Sequence, residues 1–163
     1  MKVYGVTGWK NSGKTTLTER LVAEISGRGL RVSTVKHAHH DSEVDPPGRD
    51  PFRHRQAGAG QVILSSPNRW ALMTELRGAM EPPLEQLLAM LDRCDLVLIE
   101  GYKRAPHPKV EAHRIATGRP LLTPGNPTVR AVATDGAPQV AVPRFHLDDV
   151  AGIADFILME TGL

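Results

Sequence analysis

The chain has 163 residues, 40% hydrophobic and 4% aromatic, and its 20 basic and 18 acidic residues leave a formal charge of +2. That length suits a single domain with a sizeable core, and so even a charge balance excludes the strong basic field of a nucleic-acid binder. One cysteine, Cys94, excludes an internal disulfide and a cysteine-paired zinc site, and no apolar run approaches the roughly 20 residues that span a bilayer. No signal-peptide pattern is evident at the start, so the expected compartment is the cytoplasm, with neither membrane nor nucleic acid as partner.

In chain order, residues 2–7 are β-prone and run into Gly8-Trp9-Lys10-Asn11-Ser12-Gly13-Lys14-Thr15, which fits the phosphate-binding pattern G-x-x-x-x-G-K-[ST]. Leu17, Leu21, Val22 and Ile25 mark one face of a helix that Gly27 and Gly29 would end. Residues 31–35 predict a second strand, and the Pro/Gly-rich stretch 45–51 a loop. Pro51 starts a short helix capped by Asp50 and broken at Gly58 and Gly60. Residues 61–65 and 69–76 form a hairpin about a Ser66-Pro67-Asn68 turn, and a helix follows from Pro83 with Leu84, Leu87, Leu88 and Leu91 on one face. The apolar run 95–100 is a strand buried on both faces, 109–115 and 129–134 are further strands, and a helix carrying Val150, Ile153, Ala154, Ile157 and Leu158 closes the chain.

Strands alternating with helices predict an α/β domain over residues 1–163, of the P-loop nucleotide-binding type. Its sheet should be mainly parallel with helices on both faces and an antiparallel hairpin at one edge. Ligands in such sheets sit beyond the C-terminal strand ends, which places 8–15, 37–41, Glu100 and Asp135 along one rim.

The chemistry follows from residue type. Gly8, Asn11, Ser12, Gly13 and Thr16 belong to a loop whose backbone N–H groups can turn around a phosphate at a helix N-terminus. Lys14 would reach the β- and γ-phosphates and the Thr15 hydroxyl would ligate Mg²⁺. Glu100, closing an apolar strand, is the second group on the metal side, and Lys36 and His37 can touch phosphate oxygens. Asp50 is a helix cap, a metal-side group or both. His37, His39, His40 and Asp41 can equally be a loop that orders around a γ-phosphate, a solvated loop or a transition-metal site. Arg49, Arg53 and Arg55 with His54 form a basic cluster that either grips a phosphorylated molecule or stays solvated. Asp135 can accept from guanine N1–H and the amino group, with Asn126 and Pro127 next in line for reading the base.

Four blocks in this order resemble the MobB family of molybdopterin-guanine dinucleotide biosynthesis proteins: residues 8–17, Val35-Lys36-His37-Ala38-His39-His40, residues 47–59, and residues 95–103 with Pro108-Lys109-Val110. The resemblance implies a GTP-binding, usually dimeric P-loop protein with weak Mg²⁺-dependent GTPase activity. It would assist a MobA-type guanylyltransferase that joins GMP to molybdopterin. The site carried over is Gly8 and 12–16, with Lys14 and Glu100 as the acting residues. Pro51 stands where many relatives are expected to have Ser, and Trp9 stands where some dimeric P-loop proteins carry an extra lysine. The alternatives are a small-molecule kinase and a GTP-dependent metallochaperone for another metal.

Overall fold

A computed structural model of the chain describes residues 1–38, 48 and 50–163. They form β1 (Lys2–Thr7), α1 (Lys14–Gly27), β2 (Val32–Lys36), α2 (Asp50–Gln56), β3 (Gln61–Ser66), β4 (Arg69–Thr74), α3 (Leu84–Ala89), β5 (Leu96–Glu100), β6 (Lys109–His113), β7 (Val129–Thr134), β8 (Arg144–His146) and α4 (Val150–Thr161). Two compact units share the chain, one of Met1–His37 with Leu88–Leu163 and a smaller one of Ala38–Leu87. No helix among the described residues is long and apolar enough to cross a membrane.

The larger unit is built on a six-stranded sheet ordered β2-β5-β1-β6-β7-β8, in which every neighbouring pair is parallel. All six C-terminal strand ends therefore meet one edge. β1 and β5 lie inside the sheet, which is why β5 is apolar from Leu96 to Ile99 and has every residue buried, the closing Glu100 included. Leu17, Leu21 and Ile25 of α1 and Ile153, Ala154 and Ile157 of α4 share one core with Tyr4, Leu96, Val110 and Ala131. Burying each large aliphatic side chain contributes about 1.5–3 kcal/mol, so this cluster is a major source of the unit's stability. Asp149 caps α4 by accepting from the Gly152 amide at 3.0 Å.

The mainly parallel sheet with helices is as expected; two details differ. α1 and α4 lie together on one face, while at β6 the other face meets segments 101–108 and 114–128, which contain only 3₁₀ turns. The hairpin β3–β4 forms a two-stranded sheet of its own in the smaller unit, and β2 and β8 hold the edges of the parallel sheet. β8 itself went unforeseen, because three residues among prolines carry no readable period.

On that second face two charged side chains are wholly buried. Lys109 Nζ donates to the carbonyls of Ala105 and His107 and to Thr128 Oγ1, each at 2.7 Å. Glu111 accepts from the Leu122 and Thr123 amides at 2.7 and 2.9 Å and from Thr123 Oγ1 at 2.6 Å. These two residues pin the connecting segments to the sheet. Burial pulls the Lys109 ammonium down to about 8 from 10.5. Lys109→Met removes a desolvated charge but leaves three acceptors unmatched, and the second effect wins, at about 2 kcal/mol of destabilisation. Because the folded state holds fewer protons than the unfolded between pH 8 and 10.5, wild-type stability gains from Lys109 as pH rises through that window. Denaturant titrations at pH 7 and 9.5 should show that increment in the wild type and its absence in Lys109→Met.

In the smaller unit Ile63 pairs with Leu72 and Ser65 with Trp70 on one face of the hairpin. Ile63 and Trp70 are 65% and 69% exposed. Arg55 forms an ion pair with Glu75 and its guanidinium lies 5.5 Å from the Phe52 ring.

Candidate functional site

β1 ends at Thr7, and the chain turns sharply into α1 through Gly8 (φ 144°), Asn11 (φ 64°) and Gly13 (φ 91°). Gly8 is obligatory here. A Cβ on it would stand 2.3 Å from the Ala112 carbonyl oxygen and 2.5 Å from Ser12 Oγ. No side chain caps α1 and its first turn holds no acid, so the N–H groups of Lys14, Thr15 and Thr16 face outward with no acceptor among the described residues. Ser12 Oγ is buried beside them without a hydrogen-bond partner. An uncapped helix start with an orphaned hydroxyl suits an anion, and sulfate or phosphate should bind there in crystals grown with either.

Lys14 Nζ folds back to donate to the Trp9 carbonyl at 2.6 Å. Burial lowers its pKa, and the nearby Lys103 and Lys36 charges add to that against the pull of Glu100. A phosphate in the loop would relieve both effects. Thr15 Oγ1 donates to Glu100 Oε1 at 2.8 Å, so the two residues expected to flank a metal are joined. Lys36 pairs with Glu100 across the parallel strands, and its ammonium stands 3.4 Å from both Thr15 Oγ1 and Glu100 Oε1. A hydroxyl and a carboxylate with a cation already against both are a donor set that fits Mg²⁺.

His37 accompanies Glu100 at the same rim, its amide donating to the Glu100 carbonyl at 3.0 Å and its ring 4.6 Å from that of Tyr102. His39, His40, Asp41 and Arg49 lie outside the described residues. Among the described residues no three His, Cys, Asp or Glu side chains come together as a metal cluster. Asp50 is the first residue of α2 in the smaller unit, 4.0 Å from Arg53.

Asp135 ends up at the rim next to the loop, but its carboxylate is engaged within the protein. Oδ1 accepts from the Ile115 amide at 2.9 Å, and Oδ2 lies 3.7 Å from Arg114 Nη1. Asn126 is committed too, donating to the Lys103 carbonyl and accepting from Thr128. Asn11, Gly13, Lys14, Thr15, Thr16 and Arg114 line an open groove of about 410 Å³.

Three cations here escaped sequence reasoning. Arg114 directly follows β6 and packs over Gly13, while Lys103 and Arg119 flank Trp9 at 4.3 and 5.8 Å from its ring. Trp9 is further held by its indole N–H donating to the Pro120 carbonyl at 2.7 Å. The signal for Arg114 was present: it comes one residue after the C-terminal end of β6, which like β5 lies beside β1.

A wholly parallel sheet whose central strand feeds a glycine-bearing phosphate-type loop and then a helix defines a P-loop-type α/β protein. Residues 3–135 match the family described as MobB, molybdopterin guanine dinucleotide synthesis protein B. The chain is 42% identical over 157 residues to the molybdopterin-guanine dinucleotide biosynthesis adapter protein of Haemophilus influenzae, covering 95% of this chain and 86% of that one. It is 40% identical to the protein of the same name from Escherichia coli, with 92% and 87% covered. The crystal structure of Bacillus subtilis MobB superposes with a TM-score of 0.77 at 27% identity, over 99% of this chain and 98% of that one. The chain belongs to the MobB family.

Proposed function

We propose that the chain binds GTP with Mg²⁺ at the 8–16 loop and acts as an adapter in molybdopterin guanine dinucleotide biosynthesis, hydrolysing GTP slowly. The observation that carries the nucleotide reading is the 2.8 Å Thr15–Glu100 hydrogen bond beside an uncapped helix N-terminus. The adapter role is supported by the family and by the names of the relatives. Gly8, Asn11, Ser12, Gly13 and Thr16 cradle phosphate oxygens, and Lys14 leaves the Trp9 carbonyl to meet them. Thr15 and Glu100 would hold Mg²⁺, which neutralises charge on the β- and γ-oxygens when bound. Lys36 must then leave the Thr15–Glu100 pair, and with His37 it is at the right strand end to meet the outer phosphate. Among the described residues that line the groove, none is a carboxylate or an imidazole, which favours slow turnover. The partner we assign is a MobA-type guanylyltransferase acting on the molybdopterin cofactor.

Calorimetry with GTP and ATP in Mg²⁺ tests the site: GTP should bind with at least tenfold preference. No heat with either nucleotide would remove the nucleotide reading, and equal affinity would remove the guanine preference.

A homodimer is part of the same proposal. A two-stranded sheet is marginal alone, and the exposed Ile63, Trp70 and Leu72 face needs an apolar cover, which a second copy supplies. Sedimentation equilibrium at micromolar concentration should return twice the chain mass of 17.8 kDa. A purely monomeric mass would contradict it.

A further inference from the structure

We propose that Arg114 is a nucleotide-contacting residue whose guanidinium binds phosphate oxygens across the 8–16 loop, and that Asp135 is its positioning residue rather than the reader of the base. The inference rests on nucleotide binding in the groove described above.

Four observations converge on it. The Arg114 side chain lies over Gly13, where a Cβ would stand 3.1 Å from its Nε, so the guanidinium approaches the loop closely because that position is glycine. It walls the groove whose other lining is Asn11, Gly13, Lys14, Thr15 and Thr16. Its five N–H donors make no hydrogen bond among the described residues, although the side chain is more than half buried. Among the described residues the carboxylate paired with it is Asp135, which stands 3.7 Å away, within ion-pair range, and is itself anchored by the Ile115 amide at 2.9 Å.

An ordinary surface arginine pairing with Asp135 would gain little from that contact, since half-exposed ion pairs contribute at most about 1 kcal/mol. Such an arginine has no reason to face a phosphate-type loop with its donors unspent. A planar fork aimed into an anion groove has one, because bidentate phosphate contacts are among the strongest hydrogen bonds available. The same geometry bears on Asp135. Reading guanine takes both carboxylate oxygens, and here one is held by a backbone amide while the other faces a cation.

The two roles for Asp135 give opposite results. As a positioning residue, Asp135→Asn should weaken GTP, ATP and xanthosine triphosphate by a common factor of about three to ten. As a base reader, it would weaken GTP while sparing xanthosine triphosphate. Arg114→Gln should weaken all three by a common factor of about ten to a hundred, with Arg114→Lys recovering part of that affinity through charge alone. Competitive calorimetry on the full chain reads these factors, with circular dichroism checking the fold and Lys14→Ala as the reference for a broken loop. Arg114→Gln binding like wild type, while Lys14→Ala does not bind, overturns the Arg114 assignment and leaves the loop reading standing. A GTP-selective loss in Asp135→Asn overturns the Asp135 assignment. Wild type that binds no nucleotide overturns both together with the loop reading.

Discussion

Lys14→Ala should lower GTP affinity by about a hundredfold or more and leave the fold intact. Its ammonium is the cation inside the loop, and a hydrogen bond between charged partners contributes about 1.5–3 kcal/mol, each 1.4 kcal/mol being a factor of ten. More than one phosphate oxygen is within the reach of such a side chain, so the upper part of that range applies. The backbone amides of 13–16 carry only partial charge and cannot replace it. The fold survives because the ammonium is bonded to the Trp9 carbonyl, at 2.6 Å, on a loop that the Trp9–Pro120 hydrogen bond continues to hold in the variant. The sign of the pH effect follows as well. Burial lowers the Lys14 pKa, so raising pH removes the proton that a triphosphate needs, and wild-type affinity should fall on the alkaline side. Titration calorimetry from neutral to alkaline pH measures both. Unchanged affinity in folded Lys14→Ala would sink the phosphate-loop reading.

Glu100→Gln separates metal from nucleotide. The side chain is buried, bonded to Thr15 and 3.4 Å from Lys36, and glutamine keeps its shape while deleting its charge. Removing a carboxylate beside a divalent cation costs on the order of 2 kcal/mol, roughly thirtyfold in Mg²⁺ affinity. Mg²⁺-dependent hydrolysis should fall by at least that factor, while GTP binding in a chelator changes less than threefold. Lys36→Met works in the opposite direction. It removes the cation that stands on Thr15 and Glu100, so Mn²⁺ should bind the nucleotide-free chain more tightly. Equal weakening with and without metal in Glu100→Gln would make Glu100 a structural residue.

Much of this site could be read along the chain because its determinants are local. A strand of six residues, a loop with glycine at 8 and 13, and a helix with Leu17, Leu21 and Ile25 on one face are each set by neighbours within a few positions. The run 95–100 likewise announced an interior parallel strand, since burial on both faces favours four successive apolar residues, Leu96 to Ile99, without alternation. The family resemblance also lay in contiguous blocks, and the match over residues 3–135 bears it out.

What the sequence determined by itself was therefore the strand–loop–helix unit, the interior strand ending in Glu100 and the family. Tertiary structure alone decided which strand ends became neighbours, because strand order is set by packing across the sheet and not by distance along the chain. It brought Thr15 to Glu100 over 85 positions and Lys36 to both. It placed Arg114 over Gly13 and turned Asp135 inward to Ile115. It also buried Lys109 and Glu111, which an alternating Lys-Val-Glu-Ala pattern would have left in water. That pattern says which side chains share a face, but only the two segments folded over that face supply the acceptors and donors that allow charge to be buried there.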